Sequence, residues 1–231
     1  MSKKRIELLD AARGLALFAM IFYHLVYDMG MFGLVSWSFV FSLPMDILER
    51  ICASTFILAS GFSSRLSRDN LRRGALVTAC GLTVELAASV VGVTIRFGVL
   101  LLLGCSMMLY GLCGDFFRKL PRPVLPMVSI PAFCLGYYVY RYVYIGAGWL
   151  YPLGLRNTAF VSEDYFPLFP WFFLFLLGSW LGGELLRNGH RPWMDWHCPR
   201  LLTLPGRHTL LVYMLHQPIL YGLVWMAANC R

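Results

Sequence analysis

RGLALFAMIFYHLVYD, residues 13–28, is apolar enough to enter a bilayer, yet it opens on an arginine and finishes with a histidine and an aspartate. An ionisable side chain at membrane depth costs at least a few kcal/mol, so it calls for a partner or a function. At about 100° per residue, Asp10, Arg13, Gly14, His24 and Asp28 fall on one face of a helix. With a rise of about 1.5 Å per residue, the stripe runs about 27 Å from Asp10 to Asp28, close to the hydrocarbon thickness of a bilayer. Gly14 on the same face lets another helix or a ligand approach closely.

The rest of the chain agrees with a membrane setting. Of 231 residues 58% are hydrophobic and 14% charged, with a mean hydropathy of +0.64, more apolar than a soluble domain. Seven stretches approach the length of about 20 mostly apolar residues that a spanning helix needs. They run from Ala11 to Leu34, Pro44 to Ser63, Gly74 to Thr94, Phe97 to Gly114, Val124 to Ile145, Leu168 to Leu186 and Thr209 to Ala228. The expected fold is all-α, a polytopic membrane bundle of about seven transmembrane helices forming a single domain over residues 1–231. No internal repeat suggests the inverted halves of a transporter. The first apolar stretch lacks the cleavage site of a signal peptide, so the N-terminus is expected to stay on the protein.

Charge sets the expected orientation. Lys3, Lys4, Arg5, Arg65, Arg68, Arg72, Arg73, Arg118, Lys119, Arg122, Arg187, Arg191, Arg200 and Arg207 fall in alternate connections, while the other side has only Arg96, Arg141, Arg156 and Arg231. The positive-inside rule then places the N-terminus in the cytoplasm and the C-terminus outside. The net charge of +8 is accounted for by connections lying beside anionic lipid headgroups, which argues against nucleic-acid binding. The tyrosines of residues 137–144, with Trp149 and Tyr151, suit an outer aromatic belt in which Arg141 can snorkel. The seven cysteines form no C-x-x-C pair. Asp195, His197 and Cys198 with His190 match no standard zinc spacing, so no metal is expected.

Within the stripe, His24 and Asp28 are neighbours at i, i+4. A carboxylate there can fix the imidazole tautomer and stabilise its protonated form, as a general base requires. Mutual satisfaction, or pairing with Arg50, is the packing alternative, but it would bury costly groups for modest stability. Arg13 is either a snorkelling partner of Asp10 or a phosphate-binding fork at the inner mouth of a cavity. Arg50 enters from the outer side to about the level of Asp28. Glu85 lies well inside the third span with no basic residue nearby in sequence, so its partner must come from another helix, unless desolvation keeps it protonated. Arg207 and His208 open the last span, and His216 and Gln217 precede Pro218, whose missing N–H frees a carbonyl at mid-membrane. That kink either lines a cavity or simply packs. SEDYFPLFPW, residues 162–171, carries Asp164 and reads as an outer loop dipping toward the bundle or as a proline-initiated helix start.

RIELLDAARGLALFAMIFYHLVYD, STFILASGFS, IRFGVLLLLG, DYFPLFPWFFLFLLG and LPGRHTLLVYMLHQPIL occur in this order between Arg5 and Leu220. Together they resemble the bacterial family similar to the catalytic domain of heparan-alpha-glucosaminide N-acetyltransferase. The first segment also resembles the wider membrane acyltransferase superfamily, including acyltransferase-3 enzymes, whose signature of an arginine, ten residues and a histidine is met by Arg13 and His24. The resemblance implies acyl transfer, usually of acetyl, from cytoplasmic acyl-CoA to a sugar or glycan acceptor across a bacterial inner membrane. Leu101 departs from it, since related sequences often carry a histidine there.

The expected mechanism follows. Acyl-CoA lies with its phosphates near Arg13, Arg207 and His208. His24, oriented by Asp28, takes a proton from the acceptor hydroxyl or amine as it attacks the thioester. Arg50, Glu85, Asp164 or the His216–Gln217 kink holds the sugar or the developing oxyanion. Direct transfer and an acyl-histidine intermediate both fit, and a homodimer is left open. The alternatives are a solute transporter or scaffold using the same stripe as a polar path, and a family member decayed at Leu101.

Overall fold

The computed structural model describes residues 6–187 and 192–230. Lys3, Lys4, Arg5, His190, Arg191 and Arg231 therefore lie outside the described residues. Among those described, the regular structure is helical with no strand, apart from an isolated bridge between Tyr144 and Arg156. In chain order the helices are α1 (Glu7–Met31), α2 (Trp37–Val40), α3 (Leu43–Leu66), α4 (Asn70–Val90), α5 (Val99–Lys119), α6 (Val124–Tyr142), α7 (Leu168–Arg187), α8 (Arg200–Arg207) and α9 (Thr209–Asn229), with 3₁₀ turns at Gly148–Leu153 and Pro192–Asp195. All-helical structure is what a bilayer demands, because lipid offers nothing to satisfy an open backbone N–H or C=O.

The seven long helices overlap the seven stretches expected as spans, with ends displaced by up to about five residues. Five of them, α1, α4, α5, α7 and α9, are long and apolar enough to cross a membrane by length and composition. α3 is diluted by Asp46, Glu49 and Arg50, and α6 by its prolines and tyrosines. Side-chain placement is inverted relative to a soluble protein. Val90 is 80% exposed and Leu112 70%, whereas Ser106 is fully buried and Ser129 and Ser179 nearly so. α8 was not expected as a helix of its own. Residues 200–207 contain Pro205 and Gly206, which sequence rules read as breakers.

The helices fall into two compact units, one of residues 1–56 with 189–231, the other of residues 57–188. In the first, α1 packs against α8 and α9. Ala16, Leu17, Met20, Cys52 and Phe56 form one apolar cluster, and Val26, Val40 and Met45 another. α1 and α8 meet backbone to backbone: a Cβ on Gly14 would collide with the Leu202 carbonyl, and one on Gly206 with the Asp10 carbonyl. Such close approach is how helices pack without a hydrophobic driving force.

In the second unit α4 pairs with α5, and α7 packs on both α5 and α6. Thr78 and the Gly74 carbonyl crowd Gly104 from across the α4–α5 seam. Leu101 is buried and fills the space opposite Gly81, so at this position the side chain is packed between α4 and α5. The part of α3 beyond Leu58 lies equally close to α7, with Gly61 against the Phe175 carbonyl and Gly178 against that of Leu58. Helix ends are fixed locally. Asp69 caps α4 by accepting a bond from the Arg72 amide at 2.9 Å.

Candidate functional site

The seam between α1 and α9, inside the first unit, gathers four of the polar residues singled out in the sequence. His24 faces His216, with ring centroids 5.0 Å apart and planes tilted by 54°. His216 Nδ1 lies 2.6 Å from the Tyr213 carbonyl oxygen. A carbonyl only accepts, so this contact puts the proton of the neutral ring on Nδ1 and leaves the lone pair on Nε2. Gln217 Nε2 donates to Asp28 Oδ1 at 2.8 Å. Asp28 is fully buried and His216 is 7% exposed.

Three atoms of this seam, Asp28 Oδ2, His216 Nε2 and Gln217 Oε1, are buried without a hydrogen-bond partner. Native proteins leave few such groups, and each costs about 1–3 kcal/mol of desolvation. All three are acceptors. They lie along the same seam as His24, and suit a ligand that brings donors, such as a hydroxyl or an amine.

One expected pairing is corrected. Among the described residues no hydrogen bond joins His24 to Asp28; the carboxylate turns instead to the α9 amide of Gln217, and the His24 ring leans on His216. The i, i+4 spacing makes contact available, but an amide N–H from another helix gives the buried carboxylate a donor that a neutral imidazole offers only in one tautomer. α9 runs unbroken through Pro218.

The N-terminal end of the stripe is ionic. Asp10, 2% exposed, receives Arg13 Nη1 and Arg207 Nε, each at 3.5 Å. Arg207 Nη2 also reaches Glu7 Oε1 at 3.5 Å, and Glu7 accepts from the Cys198 amide at 3.2 Å. The guanidinium groups expected to hold phosphate thus share two carboxylates. His208 is exposed at the junction of α8 and α9. Arg50 spends its fork on Asp46 one turn earlier, at 2.9 and 2.6 Å.

Glu85 and Asp164 belong to the second unit, where they hold the start of α5. Glu85 Oε1 accepts from the amides of Phe97 at 2.5 Å and Gly98 at 3.3 Å, and Asp164 Oδ2 accepts from the Val99 amide at 3.3 Å. Carboxylates at a helix N-terminus satisfy orphan amides and complement the dipole. The partner of Glu85 is therefore backbone rather than a basic side chain, and both residues have a structural task. The 162–166 loop does dip inward: Glu163 N donates to Thr94 O at 2.9 Å and Phe166 N to Phe97 O at 3.0 Å. Burial pushes the Asp164 carboxyl up to about 6, opposed by the Val99 amide and helped by the charge of Glu85.

The sign of the consequence is fixed. With a folded value above the ordinary 3.8, the unfolded chain loses this proton first as pH rises, so the carboxyl destabilises the fold progressively from about pH 4 to about pH 6. Asp164→Asn, which stays neutral, should gain in melting temperature relative to the native protein across that window and gain nothing further above it. Parallel melting curves from pH 4 to 8 in detergent would show whether it does.

Among the tyrosines expected to form an aromatic belt it is Arg156, rather than Arg141, that lies over the rings, 5.5 Å from Tyr140 and 5.0 Å from Tyr144. Among the described residues no group of three or more His, Cys, Asp or Glu is placed to hold a metal ion. The role of Tyr213 was missed, although a carbonyl three residues before His216 on one helix is a spacing the sequence displays.

The helices and the buried polar seam define a polytopic helical membrane protein with a histidine-centred site. Its family is shown by comparison: the family described as heparan-alpha-glucosaminide N-acetyltransferase, catalytic, matches residues 5–218. The chain belongs to that family, which makes it a membrane acetyltransferase by class. No curated protein and no solved structure matches it significantly.

Proposed function

We propose that the protein transfers an acetyl group from acyl-CoA, bound from the cytoplasm, to a hydroxyl or amine of a sugar or glycan acceptor at the outer face of a bacterial inner membrane. The observation that carries this reading is the set of unpartnered buried acceptors, Asp28 Oδ2, His216 Nε2 and Gln217 Oε1, beside His24. In this account the single domain crosses the membrane seven times, with the N-terminus inside.

His24 takes the acceptor proton as the acceptor oxygen or nitrogen attacks the thioester carbonyl. The tetrahedral adduct collapses by breaking the C–S bond, and the departing CoA sulfur receives the proton back from the imidazole. His216, with Nδ1–H held by the Tyr213 carbonyl, offers its Nε2 lone pair to the acceptor or to protonated His24. Asp28 positions Gln217 and steadies positive charge on the histidine pair, a longer-range version of the carboxylate support expected from spacing. Arg13, Arg207 and His208 receive the donor phosphates, the two arginines trading part of their hold on Asp10 and Glu7 for the ligand.

The test is release of free thiol from acetyl-CoA by protein reconstituted in liposomes. Release should require an acceptor, or proceed slowly with water, and Arg13→Ala should raise the acetyl-CoA concentration for half-maximal release by about tenfold, the worth of one charge-assisted contact. An unchanged half-saturation removes Arg13 from the donor site, and absence of thiol release across a saccharide panel removes the activity.

A further inference from the structure

Within the second unit a cavity of about 490 Å³ opens where α3, α5 and α7 end, and four arginines line it: Arg65, Arg118, Arg122 and Arg187. Its one lining carboxylate is Glu184. Among the described residues Arg65, Arg122 and Arg187 form no salt bridge, and Arg118 pairs with Asp115 at 3.3 Å on the exposed surface while its guanidinium lies over the Tyr110 ring, 5.7 Å from the centroid. A cation at a helix C-terminus is ordinarily answered by the helix itself, but each end supplies only about half a negative charge. Three ends, Glu184 and Asp115 still do not balance four guanidinium groups.

The cavity is also built to present donors. On its floor Ser179 Oγ donates to the Tyr110 hydroxyl at 2.6 Å, both residues 1% exposed, which leaves the Tyr110 O–H to donate in turn. Gly183 gives the Arg65 guanidinium room, since a Cβ there would lie 3.3 Å from Nε. Trp180 Nε1 donates to the Arg122 carbonyl at 3.0 Å and pins the α5–α6 connection at the rim.

We infer that this cavity binds a phosphate-bearing anion. Guanidinium forks match phosphate oxygens bidentately, and the volume falls in the range of about 300–1,000 Å³ typical of small-molecule sites. The phosphate comes either from a soluble compound or from the headgroup of an anionic lipid, and the chemistry offered to both is the same. This inference is independent of the acyl-transfer reading.

The full-length protein in neutral detergent is titrated with inorganic pyrophosphate by calorimetry. In parallel, protein in phosphatidylcholine nanodiscs containing phosphatidylglycerol is released and its retained lipid counted by native mass spectrometry. The double variant Arg122→Gln/Arg187→Gln, whose side chains are exposed, is treated identically after an unchanged melting curve is verified. Loss of about tenfold or more in pyrophosphate affinity supports a soluble ligand, and loss of retained phosphatidylglycerol supports a lipid. Equal behaviour of native and variant protein toward both probes overturns the inference. So does failure of the native protein to bind either one, a result that needs no variant.

Discussion

His24→Ala should lower acetyl transfer by about 100- to 10,000-fold, the usual worth of a positioned base, while leaving the protein folded and able to bind CoA. His24 is only partly buried, and its ring contacts are with Tyr23 and His216, so removing it leaves no charge stranded in the seam. A stability loss large enough to unfold the chain is therefore not expected. If His216 substitutes as base, the double variant His24→Ala/His216→Ala should fall well below either single one. A single variant transferring acetyl at the native rate removes His24 from the chemistry.

The second large effect concerns packing. Gly206→Ala should cost about 3 kcal/mol or more, the upper end of what overpacking does, because the new methyl meets the Asp10 carbonyl, which belongs to a helix backbone and cannot rotate away. Gly14→Ala should behave alike against the Leu202 carbonyl. Both would part α1 from α8 and disturb the Arg207–Asp10 contact. Gly222→Ala is the control: nothing lies within 4 Å of that position, it sits inside α9, and alanine there should gain up to about 1 kcal/mol of helix propensity. Melting temperatures of the three variants in one detergent decide the matter; equal values would mean that the α1–α8 contact is not close in the membrane protein.

What could be read from the sequence follows from periodicity and cost. Long apolar runs locate the seven long helices within a few residues, because hydrophobic length is a property of the segment alone. The cost of burying ionisable groups picked out His24 and Asp28, the proline at 218 drew His216 and Gln217 in beside them, and the structure brings all four to one seam. Their pairing was not legible, since the Gln217–Asp28 bond joins residues 189 apart, and local spacing favours His24 instead. α8 escaped because Pro205 and Gly206 oppose a helix by propensity, whereas the contact of Gly206 with α1 favours it. Glu85 escaped for a related reason. It caps a helix twelve residues on, across a turn where Phe97 takes a φ of 57° without being glycine. The arginine cavity was hidden in plain view, its four residues being explained well enough as topology signals until the helix ends were seen to converge.

Acetyl transfer is assigned here to the seam between α1 and α9. A structure of the protein with an unreactive thioether analogue of acetyl-CoA tests it most directly. The analogue's carbonyl carbon should lie within about 3.5 Å of the place of the attacking atom, with a ring nitrogen of His24 or His216 about 2.6–3.2 Å from that same place, as a general base requires. An analogue seated with its acyl end away from both histidines, and with Asp28 and Gln217 untouched, would contradict it.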